Sequence, residues 1–288
     1  MTPKSLVLIV VTHHYPTWKE STMALLRSLL ILMCLLVSGA SAGERISVLT
    51  LNVAGLPDFL TSQDNPEMRS LHIAHRASIW DVVAYQEDFY YSTWLDAQQK
   101  FDTTVRGTKW HKFAFVWPWL RKSGLTIKTN WSVTAPRFLA YEKCHGYRRH
   151  GSDCWVPKGV LCMRMLTPGG VIVDFCTTHL DAGNKPGSQA ARRHQIGEYL
   201  KFLPPPELDI PWVRIEAGDF NLRTHEPDIR PLLDGKDVIV GNTTGGNDVD
   251  YITVITNDLL EAVVLEYGTV PMFEGLSDHS GIGLILDL

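Results

Sequence analysis

The chain has 288 residues, 45% of them hydrophobic and 20% charged, with a formal net charge of −4. This is an ordinary globular composition, enough for one large domain. The mildly acidic balance supplies no global field to draw polyanions, which argues against avid nucleic-acid binding and leaves only a local basic patch for that role.

Residues 1–42 read as a separable leader. Met23-Ala24-Leu25-Leu26-Arg27 is a short basic region, Leu29 to Val37 is unbroken apolar sequence, and Ala40-Ser41-Ala42 matches a small-residue cleavage site. The apolar run from Ser28 to Ala40 falls short of the roughly 18–20 residues that cross a bilayer. The expectation is a signal peptide cleaved after Ala42 and a secreted product, with a single domain over residues 43–288. Met23 is the expected start, because residues 1–22 would make an unusually long leader. A signal anchor is the alternative.

Ile46–Asn52 reads as a buried strand ending on a polar residue, followed by a loop over Val53–Asp58. A helix is expected over Glu67–Trp80, with Leu71, Ala74 and Ile79 among its apolar contacts. Asp81–Glu87 is a second buried strand with a polar end, and a helix around Ser92–Lys100 follows. Residues 110–120 are the most aromatic stretch, and Pro118 interrupts any central strand there. That stretch reads either as a strand with a packed loop or as an aromatic tip suited to a lipid interface.

Leu125–Lys128 and Ser132–Tyr141 read as strands. Asn130-Trp131-Ser132 and Asn242-Thr243-Thr244 are glycosylation sequons, which would place Asn130 and Asn242 in surface loops. Cys144 and Cys154 flank a polar, basic loop that a disulfide would staple in an oxidising compartment. Gly159–Leu166 and Val171–Thr178 form a hairpin about Pro168-Gly169-Gly170. Cys162 and Cys176 could face each other across it, although buried free thiols are the expected reading. Ser188 caps a helix running to about Leu203, with Ile196, Tyr199, Leu200 and Leu203 on one stripe, and Pro204 to Pro206 stop it. Trp212-Val213-Arg214-Ile215 leads into Gly218-Asp219-Phe220-Asn221, and Asp248–Ile255, Ala262–Glu266 and Gly281–Leu286 complete the strands. Many strands broken by a few helices indicate α+β with mixed sheets.

One pattern recurs along these strands. Asn52, Glu87, His179, Asp219 with Asn221, and Asp278 with His279 each stand at a strand end, and Asp250 opens another strand. Such residues can converge on one rim of a sheet scaffold. Asp219 and Asn221 project to the same side and offer hard oxygen ligands for Mg²⁺ or a phosphoryl group. Plainer readings exist: Asn52 and Asp250 as turn formers, His179 as a satisfied strand-end histidine, Lys158 as a turn lysine. Glu87 is followed by Asp88, and strand parity together with the Gln86-Glu87 pair favours Glu87 as the ligand. His72 and His75, three apart on a helix, read as solvated.

The ordered motifs Leu51-Asn52, Gln86-Glu87, Thr178-His179-Leu180, Gly218-Asp219-Phe220-Asn221, Asp250-Tyr251-Ile252 and Ser277-Asp278-His279 resemble the endonuclease/exonuclease/phosphatase (DNase I-like) superfamily. Val156-Pro157-Lys158-Gly159-Val160 is similar to a segment of its secreted, neutral sphingomyelinase-like branch. The resemblance implies a four-layer α/β sandwich of two packed mixed β-sheets flanked by helices. It implies that Glu87, with Asn52, holds Mg²⁺ (Mn²⁺ or Ca²⁺ also admissible). His279 would be the general base and Asp250 its orienting carboxylate. Asp219 and Asn221 would position water and phosphate, His179 would donate to a non-bridging oxygen, and Asp278 would assist His179 or a metal. Lys158 and Arg193, beside Arg192, would contact phosphate. An ordinary imidazole pKa of about 6.5 suits the base.

The expected activity is metal-dependent phosphodiester hydrolysis at a phospholipid headgroup on a membrane surface. A DNase I-like endonuclease acting on nucleic acid ranks next, and a phosphomonoesterase third. A secreted binding module that keeps the fold without turnover is the reading from another class. A monomer with no stable protein partner is expected.

Overall fold

Period-two alternation splits most strands into an inner and an outer row, and two apolar rows meeting face to face build the centre of the molecule. The computed structural model describes residues 44–57, 60, 64–97, 101–109, 122–147, 153–241 and 249–288. The leader, the aromatic stretch 110–120 and Asn242 lie outside the described residues. The strands are β1 (Arg45–Asn52), β2 (Val82–Gln86), β3 (Thr103–Thr108), β4 (Lys122–Thr129), β5 (Ser132–Ala140) and β6 (Gly159–Leu166). They continue as β7 (Ile172–His179), β8 (Trp212–Asp219), β9 (Val238–Gly241), β10 (Asp250–Thr256), β11 (Val263–Thr269) and β12 (Ile282–Asp287). The principal helices are α1 (Pro66–Ala77), α2 (Ser92–Ala97) and α3 (Pro186–Phe202).

One six-stranded sheet runs β11-β12-β1-β2-β4-β3, and the other runs β5-β6-β7-β8-β10-β9. Each is mixed: β1 pairs parallel with β2, β7 pairs parallel with β8, and the remaining pairs are antiparallel. Ile46, Val48, Val82, Ala84 and Leu284 of the first sheet pack on Phe175, Val213, Ile215, Ile252 and Val254 of the second. Outside the first sheet, Leu49, Leu51, Val83 and Tyr85 pack under Ile73 and Ala77 of α1 and Leu95 of α2. Outside the second, Val160, Cys162 and Cys176 pack under Ile196 and Tyr199 of α3. Helix, sheet, sheet, helix: this is the four-layer sandwich expected from the motifs. Burying each large aliphatic side chain contributes about 1.5–3 kcal/mol relative to leaving it in water.

Several expectations are corrected. Cys162 and Cys176 are joined by a disulfide, with Cα atoms 4.1 Å apart, because the β6–β7 register sets them directly opposite each other. They are not free thiols. Cys144 and Cys154 are also bonded. Helix α3 begins two residues before Ser188: Pro186 opens it with a pre-set φ and Lys185 is its N-cap, while the Ser188 hydroxyl instead meets His145 Nδ1 at 3.1 Å. Helix α1 stops at Ala77, short of Trp80, so Ile79 lies beyond it and is 70% exposed rather than packed. Leu200 is likewise exposed, and the buried face of α3 is completed by Arg192 and Gln195. Strands β3 and β9 carry little apolar alternation, being edge strands, and sequence periodicity does not reveal them.

Gly218 sits where β8 runs parallel to β7, opposite Thr178, with φ 155°. A Cβ there would lie 2.2 Å from the Thr178 carbonyl oxygen, so the two strands close on each other only at glycine. Gly218→Ala is expected to destabilise the fold by on the order of 2 kcal/mol. Urea unfolding measures this, and an unchanged midpoint would refute it.

Candidate active site

The inner rows do not end in apolar residues. On β7 the row Val173, Phe175 continues to Thr177 and His179, and on β8 the row Val213, Ile215, Ala217 ends at Asp219. On β10 the row Val254, Ile252 ends at Asp250, and on β1 the row Ile46, Val48 continues to Thr50 and Asn52. Register then sets His179 and Asp250 beside Asp219, one on each neighbouring strand. Across the sandwich, Asn52 Nδ2 donates to Asp219 Oδ2 at 3.1 Å and to Glu87 Oε1 at 3.1 Å. One layer deeper, Gln86 Nε2 donates to Thr50 Oγ1 at 3.1 Å and to Thr177 Oγ1 at 3.0 Å. Two buried amides therefore bolt the sheets together beneath the rim.

Glu87 reaches this cluster against parity. Gln86 belongs to the inner row of β2, so a continued strand would send Glu87 outward and Asp88 inward. The strand stops at Gln86 instead, Glu87 takes a left-handed conformation with φ 57°, and the two side chains exchange faces. Asp88 accepts from Thr126 Oγ1 at 2.7 Å on the outer side of β4, and Glu87 meets Asn52. Parity thus favours Asp88, and the sequence argument from it for Glu87 is corrected. Gly55 N–H donates to the Glu87 carbonyl at 3.1 Å, which holds the kink.

His279 Nδ1 lies 2.7 Å from Asp250 Oδ2, and its Nε2 lies 3.8 Å from Asp219 Oδ2. Ser277 pins this loop by donating to the Asn52 carbonyl at 2.6 Å. Burial pulls the His279 pKa down, but the Asp250 carboxylate and then Asp219 outweigh it and hold His279 at about 10. The imidazole is therefore charged at neutral pH in the metal-free chain, not poised near its ordinary value. Asp219 is pushed up to about 6 by burial and by the Asp250 charge. Burial likewise raises Asp250 and Glu87.

Lys158 is buried, paired with Asp153 Oδ1 at 2.6 Å, and donates to the Leu180 carbonyl at 2.8 Å. Burial opposes its charge, but Asp153 and Asp181 outweigh that and keep its pKa raised. Its Nζ lies 3.0 Å from His179 Nε2. An ammonium only donates, so this Nε2 accepts and the proton resides on Nδ1, a buried atom with no partner among the described residues. Burial, then the charge of Lys158, drives the His179 pKa well down and keeps the ring neutral. In this arrangement His179 Nε2 is no donor to the cluster, and Lys158, its three donors taken by Asp153, Leu180 and His179, bears on it through its charge.

The remaining expected residues divide. Asn221, with φ 50°, donates from its backbone to Asp219 Oδ1 at 2.9 Å and from Nδ2 to the Leu180 carbonyl at 3.0 Å, so it braces the site. Asn52 acts through its amide N–H groups, since its Oδ1 accepts from Ala54 N–H at 3.1 Å. Asp278 is exposed, and its charge bears on Asp250 and His279 rather than on His179. Arg193 is not brought to the cluster: it pairs with Asp228 at 3.0 Å on the α3 surface. Asn130 is exposed and accepts from Asp102 N–H. Sequence reasoning passed over Gln86 as a cross-sheet bridge and Asp153 as the partner of Lys158. Only the polarity of Gln86 within an apolar strand hinted at the first.

The donor set fits a divalent cation. Asp219, Asp250 and His279 offer ligand atoms within 4.8 Å of one another. Glu87, Asp219 and Asp250 are hard oxygen donors whose charges raise one another's pKa, a repulsion that a cation relieves.

Solved structures share this architecture. Beta toxin from Staphylococcus aureus superposes at a TM-score of 0.65 with 15% identity, covering 83% of this chain and 99% of that one. Sphingomyelinase C from Streptomyces griseocarneus does so at 0.59 and 18%, covering 85% and 99%. D. rerio TDP2 complexed with single strand DNA product does so at 0.61 and 15%, covering 85% and 100%. A variant of the beta toxin has been solved with bound magnesium ions. No protein-family model and no curated protein matches the chain. The likenesses show the fold: a DNase I-like sandwich of two packed mixed sheets flanked by helices. Within that fold the chain is similar to sphingomyelinase C and beta toxin as well as to TDP2.

The field around His279 has a measurable sign. A histidine raised to about 10 stabilises the native state fully below the unfolded value near 6.5, and that stability is lost as pH rises toward 10. In metal-free protein the melting temperature should fall across this window, and Asp250→Asn should flatten the fall. An NMR titration that found His279 near 6.5 in the wild type would overturn the expectation.

Proposed function

We propose that the chain is a secreted, divalent-metal-dependent phosphoester hydrolase, acting as a phosphodiesterase on a phospholipid headgroup. The observation that carries the proposal is the His279–Asp250 pair, 2.7 Å apart, set beside Asp219 on a rim it shares with Lys158 and Glu87. Binding alone would not require an imidazole paired with an orienting carboxylate and set beside a third acidic group. The leader pattern of residues 1–42 and the two disulfides support an oxidising, extracellular destination.

The residues divide the chemistry among them. Asp250 holds the Nδ1 proton of His279, which leaves Nε2 to take a proton from an attacking water. Asp219, fixed by Asn221 and Asn52, orients that water. Lys158 carries positive charge to the phosphoryl oxygens at a buried point where it is little screened. Water oxygen bonds to phosphorus as its proton passes to His279 Nε2, the ester bond opposite breaks, and the leaving alkoxide takes a proton from solvent, to which His279 later returns its own. Glu87 and Asp219 would hold the cation, since the Asp250 carboxylate is engaged by His279; Mg²⁺ is the proposed ion. When bound, it polarises a phosphoryl oxygen and offsets the carboxylate field, which moves His279 toward neutrality.

The likeness to TDP2 complexed with single strand DNA product supports DNA as the second substrate class. Purified protein would be assayed with sphingomyelin, lysophospholipid, double-stranded DNA, RNA and inositol phosphates, each with Mg²⁺ and with EDTA. The expected outcome is Mg²⁺-dependent release of phosphocholine without DNA nicking; nicking without phosphocholine release would instead make the chain a nuclease. His279→Ala should lower the rate by roughly 10²–10⁴-fold while binding to lipid vesicles persists. Undiminished hydrolysis would remove His279 as the base.

A further inference from the structure

We propose that Asp88 is a positioning residue for the candidate metal site: it clamps the kink that turns Glu87 onto the rim, and it does so from the opposite face of the sheet. The inference rests on the reading of Glu87 as a cation ligand. The backbone at Glu87 is left-handed, a conformation that non-glycine residues adopt only when their surroundings hold them there. Its release would be simple, since a return to extended geometry would carry Glu87 outward with the next step of the strand.

Besides the Gly55 bond to the Glu87 carbonyl, three contacts oppose that return, and they converge on Asp88. Asp88 N–H donates to the Gly124 carbonyl at 2.9 Å. Asp88 Oδ2 accepts from Thr126 Oγ1 at 2.7 Å and from Arg106 Nε at 3.4 Å. Arg106 is itself held by Asp96 at 2.7 Å, and Asp96 also takes Lys128 at 2.6 Å. Lys122 donates to the Phe89 carbonyl at 3.0 Å, one residue further on. The fully buried Asp88 carboxylate thus lies among basic side chains of β3 and β4 and is locked on the outer side. Gly124 makes room for the turn: with φ 77°, a Cβ there would lie 2.6 Å from the Phe89 ring and 3.1 Å from the Glu87 Cα.

The carboxylate pair Glu87-Asp88 therefore works as a two-sided pin. Asp88 is drawn outward by hydroxyl and guanidinium, and Glu87, one residue away, is forced inward to Asn52. Neither Thr126 nor Arg106 is part of the rim, so the clamp can be loosened without touching the site itself. Outer partners that orient a metal-bound carboxylate typically change metal affinity roughly 10–100-fold when removed.

The test compares wild type, Glu87→Gln, Asp88→Ala, Asp88→Asn and Thr126→Val in the full chain. Mg²⁺ is titrated and followed by the rise in melting temperature without substrate, then by the rate of hydrolysis. The half-saturating Mg²⁺ concentration should rise about tenfold or more in Asp88→Ala and in Thr126→Val. Asp88→Asn should shift less, because its amide oxygen still accepts from Thr126. A merely structural role would lower the melting temperature equally with and without Mg²⁺ and leave the midpoint in place. That result, in folded Asp88→Ala and Thr126→Val alongside a Glu87→Gln variant that has lost its Mg²⁺ response, would overturn the proposal alone. A wild-type Mg²⁺ midpoint in Glu87→Gln would instead refute Glu87 as a ligand, and the role of Asp88 with it.

Discussion

A single carboxylate oxygen, Oδ2 of Asp219, faces the Asn52 amide at 3.1 Å, His179 Nε2 at 3.4 Å and His279 Nε2 at 3.8 Å. Everything else at the rim is arranged to keep that oxygen in place. Gly218 lets β8 approach β7 closely, Asn221 caps the other oxygen, and Asn52 carries the connection across to the first sheet. The Gln86 bridge to Thr50 and Thr177 repeats the same device one layer deeper. An amide has two N–H donors in a fixed plane, so one side chain can tie both sheets without importing charge. Loss of either bridge would leave buried acceptors unpaired, which is more costly than the bonds are individually worth.

The site is also a balance of buried charge. Glu87, Asp219 and Asp250 stand against Lys158 and a protonated His279, and each carboxylate is raised by its own burial before any neighbour acts. Asp153 neutralises part of the Lys158 charge from the far side. Two histidines of opposite character, one charged and one neutral, border the same carboxylate. Carboxylates outweigh burial at His279 and hold it charged, whereas burial first and then the Lys158 ammonium keep His179 neutral. Charge sets the protonation of this rim, while packing sets its shape.

The scaffold under it is ordinary by comparison. Apolar rows fill the space between the sheets, the helices cover the outer faces, and the disulfide between Cys162 and Cys176 fastens one hairpin within the second sheet. Because the same architecture is shared with a sphingomyelinase C and with a DNA-bound TDP2, the fold leaves the substrate open, and the choice falls to groups at the rim.

By itself the sequence determined most of the strands and the polar residues that close them. Period-two patterning marked the inner rows, and the polar residue closing each row marked Asn52, His179, Asp219 and Asp250, because hydrophobic alternation is a local signal carried by neighbours in the chain. What it could not decide were outcomes set by partners distant in order. The Cys162–Cys176 bond depends on a register, β3 and β9 depend on the neighbours that pair them, and the proton of His179 depends on where Lys158 lies. Glu87 shows the difference most directly. Local alternation assigns the inner face to Asp88, and only the pull of Thr126 and Arg106 on one side and Asn52 on the other reverses the pair, since a backbone kink is paid for by tertiary contacts that no short stretch of sequence contains.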